Sequence, residues 1–218
     1  MIRFHKRGSF HGNFSVNTNL ILANIILFFV FTILIFVNQK FLDYIALKPS
    51  NIFQGLYLWT FLTSMLMHGG FFHILANMFS LFFLGTLAER ILGAKRYIYL
   101  YLISGLFAGL FFVLLSQFFT ADFNTYAVGA SGALFGLIGF LMIITPNLSV
   151  YVMFIPIPIK MKYAAPGILA VLWLISAAGN VPIGNTAHLG GLIAGLFYGF
   201  YLRRKFPRKT ERINKYFN

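Results

Sequence analysis

AVGASGALFGLIGFLMIIT, residues 127–145, is the stretch whose reading decides the fold of this chain. It is an apolar run close to the roughly 20 residues that cross about 30 Å of hydrocarbon. Near its start lies a hydroxyl, Ser131, and along one stripe lie Gly132, Gly136 and Gly139. A second run, AHLGGLIAGLFYGFYL at 187–202, opens on His188 and carries Gly191, Gly195 and Gly199 at the same spacing. Polar and ionisable groups are costly in hydrocarbon, so their presence in such runs points to function. A hydroxyl and an imidazole are also the minimum set for nucleophilic catalysis.

The rest of the chain has the same character. Of 218 residues, 59% are hydrophobic and 10% charged, against about 25% charged in an average soluble domain. Many of the 28 Phe and 11 Tyr fall near segment ends, where aromatic rings favour the membrane interface. The absence of cysteine excludes disulfides, thiolate metal sites and cysteine nucleophiles. Apolar runs predict helices near 19–37, 70–88, 97–118, 127–145, 163–179 and 187–202. The first reads as a retained signal anchor, since it follows Arg3, Lys6 and Arg7 and lacks a small-residue cleavage site. Pro156 and Pro158 make 150–159 an interfacial loop. Residues 38–69 form one long connection, and Tyr57 and Trp59 place part of it at the membrane surface.

Six spans put both termini on one side, and 15 of the 17 Lys and Arg residues fall there, leaving Lys40 and Lys48 opposite. The positive-inside rule makes that side cytoplasmic. It also accounts for most of the formal charge of +13 without nucleic acid, although the basic tail suits anionic headgroups of the lipid bilayer. The expected organisation is a cytoplasmic N-terminal arm at 1–18, a membrane domain at 19–202 and a basic cytoplasmic tail at 203–218. The fold class is an all-α polytopic membrane protein, an integral multi-pass bundle expected in a prokaryotic cell membrane.

The second, fourth and sixth spans run from outside to inside, ending at Glu89, Pro146 and Arg203. Counting back, His73, Ser131 and His188 stand at the same height, roughly 22–24 Å above the inner boundary at 1.5 Å per residue. Asn77 is one turn below His73 on the same face. Small-xxx-small stripes let membrane helices pack backbone to backbone, which would bring Ser131 to His188. Glu89 is far below this level, and Asp43 and Asp122 sit in outer connections. The chain therefore supports a Ser–His dyad in which His188 activates Ser131. Asn77, His73 and the Ser131 backbone N–H are candidate oxyanion donors, and the glycines beside Ser131, Gly129 included, would let a substrate backbone come close. A zinc site from His68, His73 and His188 has no carboxylate or thiolate nearby to complete it. His68, five residues from His73, is assigned to a different helix face and a structural role.

These residues resemble the rhomboid family of intramembrane serine proteases. Its serine motif appears as Gly129-Ala130-Ser131-Gly132, and its last-helix pattern as Ala187, His188, Gly191 and Gly195. The second-helix pattern appears as His73 and Asn77, preceded by His68, and a Gly-x-x-x-Glu-x-x-x-Gly pattern as Gly85, Glu89 and Gly93. The resemblance covers residues 19–202. It implies a six-transmembrane-helix rhomboid-like bundle of the minimal form, with no seventh helix and no appended soluble domain. It implies Ser131 as nucleophile, His188 as base, and His73, Asn77 and Gly129 on the oxyanion and substrate side. It further implies a cofactor-free endopeptidase that cleaves the transmembrane segments of single-span membrane proteins near the outer face. One departure is Trp59-Thr60, where the family has Trp-Arg.

Each fragment has a plainer reading. Ser131 can be a packing residue, His188 a helix-start residue bonded to a loop carbonyl, and His73 and Asn77 helix cross-links. Two other functions use the same groups. A non-proteolytic rhomboid-like protein binds membrane clients, but such relatives usually lack the serine or the histidine. A solute transporter would carry paired inverted repeats, and none is visible. No feature of the sequence fixes the oligomeric state.

Overall fold

A bilayer leaves backbone groups no water to bond, so the chain must satisfy them within helices. The computed structural model describes residues 14–152, 157–179 and 183–217. Arg3, His5, Lys6, Arg7, His11, Pro156 and Pro182 lie outside them. Six long helices form the bundle: α1 (Val16–Val37), α2 (Phe71–Leu92), α3 (Ala94–Leu115), α4 (Ser131–Ile144), α5 (Met161–Gly179) and α6 (Asn185–Lys205). A seventh, α7 (Pro207–Tyr216), occupies much of the basic tail. Four of them, α1, α2, α3 and α5, are long and apolar enough to cross a membrane. The chain is an all-α polytopic membrane protein.

Several ends differ from the periodicity reading, each for a local reason. The second helix continues to Leu92, and Gly93, at φ 78°, turns the chain so that α3 begins at Ala94. The fourth loses its first residues because Gly129 takes φ 113°, a left-handed conformation that a helix excludes. Ala127 instead exchanges both backbone bonds with Leu47 of the long connection. At 14 residues, α4 is about 21 Å long. That is shorter than the roughly 30 Å hydrocarbon core of a bilayer. Between α4 and α5, Ser149–Val150 and Ile159–Lys160 pair as a minimal antiparallel hairpin.

The centre of the bundle is α4, with Leu137, Phe140 and Leu141 fully buried. It packs most extensively on α6, along the two glycine stripes. A side chain at Gly191 would strike the Gly132 carbonyl, one at Gly195 the Gly136 carbonyl, and one at Gly139 the Leu192 carbonyl. Helix α1 is built the other way round. Its buried residues are Asn17 and Asn24, and Phe29, Ile33 and Phe36 point outward, as suits a helix facing lipid.

Asn17 ties α1 to α2 at the end where α1 begins and α6 finishes, here called the basic end. A π-turn spans Leu81–Gly85, and the Asn17 amide donates to the Leu81 carbonyl at 2.9 Å and to Thr86 Oγ1 at 3.0 Å. Tyr97 donates its hydroxyl to Asn17 Oδ1 at 2.6 Å. The Glu89 carboxylate accepts the N–H groups of Val16 and Asn17 at 3.0 and 2.9 Å, a charge well placed on a helix N-terminus. The Gly85–Glu89–Gly93 pattern thus reads as room for Asn17, a cap for α1 and a corner.

Candidate active site

The opposite, mouth end is organised by the long connection. Thr63 donates to the Ile45 carbonyl at 2.8 Å and the Trp59 indole to the Tyr44 carbonyl at 2.9 Å. Asp43 accepts from Asn51 at 3.0 Å and from the Tyr126 hydroxyl at 2.7 Å, and Lys48 lies 4.9 Å from the centre of the Tyr126 ring. Burial and the Asp43 carboxylate together push the Tyr126 hydroxyl up to about 12. Burial would raise Asp43 too, yet its bonds from Tyr126 and Asn51 and the charge of Lys48 leave it below the ordinary carboxylate value. With the Leu47–Ala127 bridge, these contacts fix the segment that leads into Gly129. The Gly129 N–H then donates to the Ser64 carbonyl at 2.8 Å.

That anchoring sets Ser131 as the first residue of α4, half-buried and so still open on one side. His188 is the fourth residue of α6, closing its first turn, and is 8% exposed. Ser131 Oγ and His188 Nε2 are 2.8 Å apart. The hydroxyl donates when the imidazole proton is on Nδ1, and that is the arrangement a general base requires. The ring of Phe135 lies under the imidazole, 4.6 Å centre to centre and 22° from parallel. No described residue bonds His188 Nδ1. The two groups therefore meet without a carboxylate behind them.

His73 comes from the first turn of α2. Its Nδ1 accepts the Gly69 N–H at 3.3 Å, which leaves the proton on Nε2. That nitrogen faces Gly129: a Cβ there would lie 2.8 Å from His73 Nε2 and 3.7 Å from Ser131 Oγ. Asn77 donates to the His73 carbonyl at 2.8 Å, and its own carbonyl oxygen is buried without a partner among the described residues. The structure brings Ser131, His188, His73 and Gly129 together and sets Asn77 one turn below.

Sequence reasoning misplaces one neighbour and misses several. His68 is not on a separate helix face, because α2 starts only at Phe71. The turn before it folds the His68 ring edge-on to His73, 5.2 Å away, buried and with neither nitrogen bonded to a described residue. Phe135 was open to discovery as the residue one turn after Ser131. Asp122 was not: it accepts from Thr186 at 3.2 Å, 64 positions away, and burial raises its carboxyl above the usual value. That contact ties the segment before Ser131 to the first turn of α6.

A family model described as the Rhomboid domain matches residues 55–205. RHOMBOID-like protein 1 of Arabidopsis thaliana is 38% identical over 176 residues, covering 78% of this chain and 41% of its own length. RHOMBOID-like protein 5 of the same plant is 36% identical over 147 residues, 66% of this chain and 44% of its own. The Rhomboid protease GluP of Bacillus subtilis is 31% identical over 154 residues, 70% of this chain and 27% of its own. The chain spans less than half the length of these curated relatives.

Proposed function

The chain belongs to the rhomboid family, and from that premise we propose that it is an intramembrane serine endopeptidase working through a Ser131–His188 dyad. The reading is carried by one observation: Ser131 Oγ stands 2.8 Å from His188 Nε2, and the two come from helices whose glycine stripes hold them in contact.

Ser131 Oγ attacks the carbonyl carbon of the scissile peptide while its proton passes to His188 Nε2. The tetrahedral oxyanion forms beside Gly129, where His73 Nε2–H, the Asn77 amide and the Ser131 backbone N–H supply donors. Each such donor is worth about 2.7–4 kcal/mol of barrier where it has been removed. His188 then gives its proton to the leaving amine, and the C–N bond breaks. Water, deprotonated by the same imidazole, releases the acyl group and regenerates the serine. No carboxylate or cofactor enters these steps. Phe135 keeps the imidazole plane fixed through both transfers.

The substrates are transmembrane segments of single-span membrane proteins, cut near the outer face, with both termini of this chain cytoplasmic, a reading its Lys and Arg distribution supports. Two measurements test this. A fluorophosphonate should label the purified protein, and Ser131→Ala and His188→Ala should each abolish labelling. A single-span reporter, in a host lacking its own enzyme of this kind, should be cleaved by the wild type and left intact by Ser131→Ala. Equal cleavage by Ser131→Ala would end the assignment.

A further inference from the structure

Far from the serine, at the basic end, two cations share one aromatic ring. Arg96 Cζ and Lys205 Nζ each lie 5.9 Å from the centre of the Phe206 ring. Lys205 also donates to the Tyr201 hydroxyl at 2.6 Å, and the Tyr201 and Tyr198 rings are 6.3 Å apart. Among the described residues the single ion pair is Lys215–Glu211, and Glu89 is engaged with the start of α1. Neither cation therefore has a carboxylate partner. An anion bound beside Phe206 would therefore meet two cations that no carboxylate already neutralises.

An apolar path leads away from that pair. A groove of about 280 Å³ runs between α3 and α6, bounded by Arg96, Tyr99, Ile103, Ser104, Ala194 and Tyr198. Its floor is low because Ser104 and Ala194 are small. From Arg96 to Ser104 it follows the helix for about 12 Å at 1.5 Å per residue. Tyr99 and Ile103 stand outward on its wall, 54% and 61% exposed. A small soluble anion would satisfy the cations and leave the groove unused. A ligand with an anionic head and a hydrocarbon chain satisfies both, and basic pockets between membrane helices bind lipid headgroups in this way.

We propose that this end of the bundle holds one anionic phospholipid, its phosphodiester between Arg96 and Lys205 and one acyl chain in the α3–α6 groove. The lipid would join α3 to the junction of α6 and α7, independently of any chemistry at Ser131. Native mass spectrometry of the full chain in detergent tests it, with phosphatidylglycerol and phosphatidylcholine of the same acyl chains in equal amounts. One phosphatidylglycerol should be retained at least tenfold over phosphatidylcholine. Arg96→Gln/Lys205→Gln should lose it, and Lys160→Gln/Lys162→Gln, an equal loss of charge elsewhere at the basic end, should keep it. Equal retention of the two lipids, or equal loss in both double variants, overturns the proposal in favour of diffuse charge attraction. Displacement by excess glycerol phosphate would overturn the part given to the groove. If the first double variant does not fold, a phosphatidylglycerol with a photoreactive acyl chain decides on the wild type. Label confined to 99–104 and 194–198 supports the site, and label spread over all helices overturns it.

Discussion

Gly129 is held to glycine by two constraints that meet at one atom. Its φ of 113° costs an L side chain about 1–3 kcal/mol, and the missing Cβ is the space where His73 Nε2 looks toward Ser131. Gly129→Ala should therefore lower reporter cleavage by about two to three powers of ten, the size of losing an oxyanion donor, with a fall in stability of about 1–3 kcal/mol. A variant that is destabilised to that extent yet cleaves normally would remove His73 from the oxyanion side. The two acids of the mouth end make a second residue-scale prediction, because burial and bonding move them in opposite directions. Asp43 lies below the ordinary 3.8, so its stabilisation is complete above pH 3.8 and lost as pH falls through the lower folded value. Asp122 lies above 3.8, so its contribution is full below pH 3.8 and lost as pH rises through the raised folded value. Below pH 3.8, Asp43→Asn should flatten the acid-side fall in melting temperature measured in detergent. Asp122→Asn should flatten the fall on the rising-pH side. Identical profiles for wild type and both variants would show that neither contact persists in solution.

At the scale of helices, the glycine stripes distinguish close approach from mere absence of a side chain. Gly195 faces the Gly136 carbonyl and the Phe140 backbone nitrogen, whereas Gly167 in α5 has nothing within 4 Å of where a Cβ would stand. Gly195→Ala pushes backbone against backbone, so α4 and α6 must separate. The expected cost is about 1–3 kcal/mol, with fluorophosphonate labelling of Ser131 falling because His188 moves with α6. Gly167→Ala should gain up to about 1 kcal/mol from helix propensity and leave labelling unchanged. Thermal unfolding and labelling rate on the two variants check both, and equal behaviour would mean that the stripes do not set the dyad distance. The same contrast explains what was legible in the sequence. Apolar length gave the six long helices, and the periodic glycines of 132–139 and 191–199 pointed to the α4–α6 contact, because both signals repeat within one element. Where α4 begins was not legible, since it depends on Gly129 leaving helical geometry to let Ala127 pair with Leu47, 80 positions earlier. His68 was misplaced for a related reason: its five-residue offset from His73 was read as a helix face, but α2 starts at Phe71 and a turn brings the two imidazoles together. The contacts of Asp43 with Tyr126 and of Asp122 with Thr186 join positions 83 and 64 residues apart and leave no periodic trace.

For the whole molecule, α5 is a lightly secured wall of the bundle, packed on α4 and α6. Its buried residues, Met161, Ala164 and Ala165, are all at the basic end. Toward the mouth Val171, Leu174 and Ile175 are 51%, 68% and 48% exposed, and the ring of Trp173 meets that of Phe119 edge-on at 6.4 Å. A helix fixed at its base and lightly held at its top can tilt about the base, and such a tilt would widen the way from the lipid to Ser131. The transmembrane substrates proposed above would need that opening, because such a segment must arrive sideways. A small fluorophosphonate has no such need and can reach the half-buried hydroxyl from the mouth. Trp173→Ala removes the aromatic contact at the top while leaving the Ser131–His188 pair untouched. It should therefore raise the cleavage rate of a transmembrane reporter severalfold and leave the fluorophosphonate labelling rate unchanged. If both rates rise together, the variant has altered the dyad itself. If reporter cleavage stays level or falls while labelling is constant, α5 is a fixed wall and substrate enters elsewhere.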